Sequence, residues 1–219
     1  HTELEAVYEE YNIGLTSDWR KMYAALFAKL FPTHPYGTQT TIGLGEHLKN
    51  PSITNIKNYF NKYYVPNNVA ICLSGDLNPD ETAAAIEKYF GNWKPSAHID
   101  VPQFPAQPAL TAPVDTTVIG KEAPTFFMGW RAEAGNSLQM DTLEIVAQLL
   151  SNGQAGLLDL DLNQKLKVQD VGAGVSDMND YSVFYIYGQP KSGQTLQEAR
   201  ALALSEIEKL KKGEFSDDL

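Results

Sequence analysis

Along residues 3–31 the apolar positions recur every three or four residues. Leu4, Val7, Tyr8, Tyr11 and Leu15 form one stripe, and Trp19, Tyr23, Leu26, Phe27 and Leu30 form a second. Residues i, i+3, i+4 and i+7 share one face of a helix, so this spacing predicts two helices. Gly14 is a candidate break between them. Pro32 and Pro35 end the pattern, because proline lacks the N–H that a helix interior requires. Residues 32–51, punctuated by Gly37, Gly43, Gly45 and Pro51, read as loop. Ser52 is placed to cap a helix reaching about Tyr63, with Ile53, Ile56, Tyr59 and Phe60 facing inward. Pro66-Asn67-Asn68 is a turn, residues 69–74 read as a buried strand, and Asn78-Pro79-Asp80 caps a helix ending at Phe90.

Five of the twelve prolines then fall between residues 94 and 113, which marks residues 97–113 as a linker. Beyond it the pattern starts again. Residues 114–119 and 125–131 alternate as strands, 138–150 repeat as a helix, and 157–166 read as a second helix. Residues 168–175 and 182–189 read as strands, and 195–211 as a long amphipathic helix. Clustered strands without a regular β-α-β alternation imply an α+β class. The expectation is two consecutive units, residues 1–96 and 114–219, each a mainly antiparallel sheet with helices packed on one face.

Composition narrows the function classes. Hydrophobic residues make up 43% and charged residues 20%, as in a packed globular chain, and no apolar run approaches the length that spans a bilayer. No membrane insertion is expected. The 27 acidic residues outnumber the 17 basic ones, for a net charge of −10. Such a surface repels nucleic-acid phosphates, so no nucleic-acid partner is expected either. Cys72 lies in the apolar run Val69-Ala70-Ile71-Cys72-Leu73 and reads as a buried core thiol. Ser151-Asn152-Gly153-Gln154-Ala155-Gly156 lacks the lysine and spacing of a phosphate loop and reads as a helix end and turn. The chain opens on His1 already in a helical pattern and closes on Ser216-Asp217-Asp218-Leu219, a cap and acidic first turn. Both ends are therefore expected to be cuts in a longer chain.

Several segments together resemble the M16 (insulinase/pitrilysin-like) zinc metallopeptidases. Glu3-Leu4-Glu5-Ala6-Val7-Tyr8-Glu9-Glu10 resembles the helix that follows that family's catalytic helix, and His34-Pro35-Tyr36-Gly37 its loop. The most specific stretch runs from Phe60-Asn61-Lys62-Tyr63-Tyr64-Val65-Pro66-Asn67-Asn68 into Leu73-Ser74-Gly75-Asp76-Leu77. Phe90-Gly91-Asn92-Trp93 closes that unit as in the family. Thr125-Phe126-Phe127-Met128-Gly129-Trp130-Arg131, Leu149-Leu150-Ser151-Asn152-Gly153 and Lys211-Lys212-Gly213-Glu214-Phe215 resemble the neighbouring non-catalytic domain.

The resemblance implies a zinc-dependent endopeptidase acting on unfolded peptides or small proteins. Its alternative is a non-catalytic half that serves as scaffold or peptide-binding wall. The family's zinc motif is H-x-x-E-H, whose histidines bind the metal and whose glutamate activates the metal-bound water. The four histidines here, His1, His34, His47 and His98, do not form it. The nearest imitation, Gly43-Leu44-Gly45-Glu46-His47, has glycine where a ligand is needed. No catalytic residue is therefore expected in this chain, nor bound zinc, although zinc is implied for the parent protein. By resemblance Glu10 matches the family's third zinc ligand and Glu3 a supporting acidic residue, with Glu9 the alternative if the register slips by one. Seven residues are about two helical turns, so Glu3 and Glu10 share a face. His34, before a proline, reads as turn-forming or exposed. The implied partners are a peptide substrate and the missing remainder of the same chain, with a homodimer through truncated surfaces as a further expectation. Resemblance to bacterial relatives implies a periplasmic location.

Overall fold

The computed structural model describes residues 2–216. His1 and the stretch 217–219, which the sequence analysis read as an opening helical turn, lie outside the described residues. Helix α1 (Thr2–Thr16) runs through Gly14 without a break, and α2 (Asp18–Leu30) follows once Ser17 has capped it through the Arg20 N–H. The chain then divides into two compact units. One comprises residues 1–8 and 42–105, the other residues 9–41 and 106–219.

The second unit is built on a three-stranded antiparallel sheet. Its strands β1 (Phe126–Ala132), β2 (Asp170–Ser176) and β3 (Ser182–Gln189) lie in the order β1-β3-β2. The alternation in β3 sends Phe184 and Ile186 to one face and Val183, Tyr185 and Tyr187 to the other. On the first face lie α7 (Leu138–Leu150) and α8 (Leu196–Lys212), and the core joins Phe126, Leu150, Leu158, Leu162, Ile186 and Ala199. Leu150, Leu158, Leu162 and Ile186 are fully buried. Burial of such a side chain stabilises by about 1.5–3 kcal/mol each, so this cluster dominates the unit's stability. Against the second face lies α2, with Phe27 and Leu30 packed on Val183 and the Trp19 and Tyr23 rings near Phe127. The α+β class with an antiparallel sheet is as expected. The sheet carries helices on both faces rather than on one, because β3 is apolar on both sides.

Local chemistry sets the ends of these elements. Thr195 and Glu198 form a reciprocal capping box at the start of α8, and Gly213, at φ 69°, ends it in the left-handed conformation. The helix expected over 157–166 is shorter and wider: residues 159–163 form one π-helical turn. Asp159 is buried there and accepts the N–H groups of Asn152, Gly153 and Gly156, which closes the turn after α7. Asp18 accepts N–H groups from Lys121 and Glu122, and these bonds, together with Lys21, hold its carboxyl below the usual range.

The first unit carries the short helix α4 (Gly45–Lys49) and the helices α5 (Ile53–Tyr63) and α6 (Pro79–Phe90), the latter two capped by Ser52 and Asn78 as their sequences predict. Between α2 and α4, in the other unit, lies the four-residue helix α3 (Pro35–Thr38). The inward-facing expectation for α5 fails: Ile53 is 60%, Tyr59 62% and Phe60 54% exposed. Residues 69–74 form neither helix nor strand, and Cys72 is exposed rather than buried. The strand expected over 114–119 is likewise unpaired, with Ile119 exposed. Strand-forming sequence becomes sheet only when a neighbour takes its N–H and C=O groups, and neither segment has such a neighbour among the described residues. No helix among the described residues is long and apolar enough to cross a membrane.

Candidate functional site

The predicted ligand residues sit on α1. Glu3, Glu9 and Glu10 are all exposed, and Glu3 and Glu10 project from one helix two turns apart. His34 caps α3, its Nδ1 accepting the Tyr36 N–H, while its Nε2 lies 3.0 Å from Asp180. It is turn-forming as expected, but buried. His98 pairs with Asp100, which also binds Lys62, and His47 lies in the last turn of α4. Among the described residues no group of three or more His, Cys, Asp or Glu side chains could hold a metal. A catalytic zinc site needs three converging nitrogen, sulfur or oxygen donors and an open position for water, and two exposed carboxylates do not supply these.

A second arrangement was not foreseen from the sequence. A groove of about 750 Å³ runs between α7 and the outer side of β2. Its helical wall is formed by Asp141, Glu144, Ile145 and Gln148, which share one face of α7, and its floor by residues 173–175 of β2. The Tyr185 ring crosses over Gly174 so closely that a Cβ there would lie 2.7 Å from the tyrosine oxygen. The β2 strand is an edge strand, so one side of its backbone is not taken up by β3. At Val171 that side is filled by a side chain. Asn163 donates from Nδ2 to the Val171 carbonyl at 2.8 Å, and its Oδ1 accepts the Val171 N–H at 3.0 Å. The sequence signal for this site was slight: two glycines alternating in a strand, and one asparagine in a turn.

Comparison with known proteins gives the context for both features. The chain is 25% identical over 205 residues to the zinc protease PqqE of Helicobacter pylori, covering 89% of this chain and 45% of that protein. It therefore spans about half the length of this curated relative. Among solved structures it is similar to a protease from Helicobacter pylori, with a TM-score of 0.80 at 22% identity, covering 99% of this chain and 54% of that one. It is also similar to a peptidase M16 inactive domain from Pseudomonas fluorescens, with a TM-score of 0.75 at 17% identity, covering 97% and 51% respectively. At these identities the structural likeness establishes the fold. A family model described as "Peptidase M16 inactive domain" matches residues 52–219, so the chain belongs to the M16 peptidase family.

Proposed function

We propose that this chain is part of a zinc-dependent endopeptidase that hydrolyses unfolded peptides or small proteins, and that it is not active by itself. The observation that supports this most is the family match together with Glu10, exposed on α1 and without an ion pair among the described residues. In this reading Glu10 is the third zinc ligand of the parent protein and Glu3 a supporting acid, while the histidines and the catalytic base come from outside these residues. Residues 1–96 would complete a catalytic-type domain, 97–113 form a linker, and 114–219 begin the following non-catalytic domain. The exposed apolar side of α5 would seat the rest of the parent chain. A peptide would bind extended, adding a strand to a sheet edge. A periplasmic location is part of the same reading, in keeping with the related protease PqqL of Escherichia coli, which is described as periplasmic.

The test uses the full-length protein. Peptide cleavage is expected to stop on chelation, and Glu10→Gln is expected to lower zinc content and cleavage together. Glu3→Gln should cost about 10–100-fold, as for groups that orient a ligand. Cleavage that persists with chelator, or no cleavage at all, would count against the peptidase reading.

The family model's description as an inactive domain favours a second reading, a non-catalytic half that serves as scaffold or peptide-binding wall. An H-x-x-E-H motif in the full-length protein supports the first reading, and its loss supports the second.

A further inference from the structure

The turn after α7 carries the chain's one Asn-Gly pair, Asn152-Gly153. We propose that this turn is a self-modification site: the fold promotes closure of the Asn152 side chain onto the Gly153 nitrogen and so converts the asparagine to aspartate and isoaspartate. The inference stands on the turn's own geometry and does not depend on the peptidase reading.

Ring closure needs a nucleophile, an activated carbonyl and a base, and the turn holds all three. The nucleophile is the Gly153 backbone nitrogen, whose N–H donates to Asp159 Oδ2 at 2.9 Å. Asp159 is 5% exposed, so its carboxylate faces that N–H shielded from water, as a base must be to act on it directly. The electrophile is the carboxamide carbon of Asn152. Its Oδ1 accepts the Gln154 N–H at 3.1 Å and the Ala155 N–H at 2.8 Å. Two backbone donors aimed at one carbonyl oxygen stabilise the negative charge that develops there. Asn152 Nδ2 donates to the Gln148 carbonyl at 3.2 Å, which fixes the plane of the group. Gly153, at φ 81°, has no side chain to screen its nitrogen, and a Cβ there would meet nothing within 4 Å among the described residues. Asn152 and Gly153 are both exposed, so water reaches the product.

In the first step the Gly153 nitrogen bonds to Asn152 Cγ and its proton passes to Asp159. The oxyanion on Oδ1 then collapses, the Cγ–Nδ2 bond breaks, and Nδ2 leaves as ammonia with the proton that Asp159 held. The resulting cyclic imide adds one water. Opening at the side-chain carbonyl gives aspartate, and opening at the backbone carbonyl gives isoaspartate, whose main chain runs through the former side chain. No oxidant, reductant or cofactor takes part. Either product puts a second carboxylate beside Asp159, and isoaspartate also lengthens the main chain between two N–H groups that Asp159 now holds together. Conversion therefore loosens the turn that joins α7 to residues 159–163.

The experiment incubates the full-length protein at neutral pH in native buffer and in denaturing guanidinium chloride. Conversion at residue 152 is followed by peptide-mapping mass spectrometry, with isoaspartate separated chromatographically. Conversion is expected to be at least about tenfold faster in native buffer, a fraction of the roughly 100-fold or more that a positioned base supplies. At intermediate denaturant the rate should fall along the unfolding curve of the same samples, a readout that needs no variant. Asp159→Asn, once its own unfolding transition shows that it folds, should lose most of the acceleration. Asn152→Asp, which imitates one product, should unfold at a lower denaturant midpoint with unchanged slope. A native rate equal to or below the denatured one would overturn the proposal, since the turn would then only restrain Asn152. Acceleration that persists undiminished in folded Asp159→Asn would overturn the assignment of the base. A wild-type midpoint for Asn152→Asp would refute the loosening.

Discussion

His34 and Gly37 show how much a single position depends on distant packing. The Nδ1 of His34 accepts a backbone N–H, so the ring proton is on Nε2, which faces Asp180 at 3.0 Å. The His-Pro-Tyr-Gly sequence made the turn legible. It could not show that the ring is 1% exposed, because Asp180 and Tyr181, which help to enclose it, lie about 146 residues further along the chain. Gly37 is bound to the same turn by a close approach. A Cβ on it would stand 2.2 Å from the Phe31 carbonyl oxygen and 2.5 Å from that of Phe27. Both atoms belong to backbone at the end of α2 and cannot swing aside. Gly37→Ala is therefore expected to destabilise this unit by about 1–3 kcal/mol, read as a lower urea midpoint at unchanged slope. A variant of wild-type midpoint would show that the turn relaxes freely. Glu10 is the contrasting case: its helix was legible from spacing, and its proposed role rests on residues beyond this chain.

Among the elements, the turn at 159–163 is fastened to α8 by charge. Asp161 accepts from Lys165 at 2.5 Å and from Lys209 at 2.6 Å, and Lys209 also reaches Glu206 at 2.9 Å. The hydrogen bonds from Lys165 and then Lys209 hold the Asp161 carboxyl well below the ordinary carboxylate range. A carboxyl whose pKa is lower in the folded state contributes its stability above the unfolded pKa, near 4, and loses it as pH falls through the folded value. Stability measured by urea unfolding should thus decline as pH is lowered below about 4, and Asp161→Asn should make that decline shallower. An unchanged slope in the variant would show that the tie contributes nothing. Helices were the elements best read from sequence, because their caps are local: Ser52, Asn78, Ser137 and Thr195 each accept N–H groups within the next three residues. Strands β1, β2 and β3 were legible by alternation, whereas 69–74 and 114–119 carried the same pattern and remain unpaired.

For the whole molecule, the two units differ in how much apolar surface they bury. Residues 9–41 and 106–219 enclose a continuous core on one face of the sheet and the α2 contacts on the other. In residues 42–105, Val65 is buried, while Ile53, Tyr59, Phe60 and Leu73 are more than half exposed. Amides in well-packed sheet open only with large-scale unfolding, and amides without partners exchange freely. Hydrogen exchange followed by mass spectrometry is expected to find β3 protected over orders of magnitude in time relative to residues 69–74. Comparable protection in both would mean that the exposed segment is covered in solution, and a dependence on protein concentration would point to a second copy.

Period, capping residues and turn chemistry are written in neighbouring residues, so the chain by itself determined the long helices, the three strands that pair and the α+β class, whereas the short helices α3 and α4 lie where the sequence reads as loop. The same was true of the M16 resemblance, which rests on short motifs in order. Which strand finds a partner, which face of α5 is left open, and that Asn163 lies against Val171 beside the acidic side of α7 were decided only by tertiary structure. Each depends on what packs against a segment from elsewhere in the chain, and strand-forming sequence has the same alternation whether or not a neighbour is there to accept its hydrogen bonds.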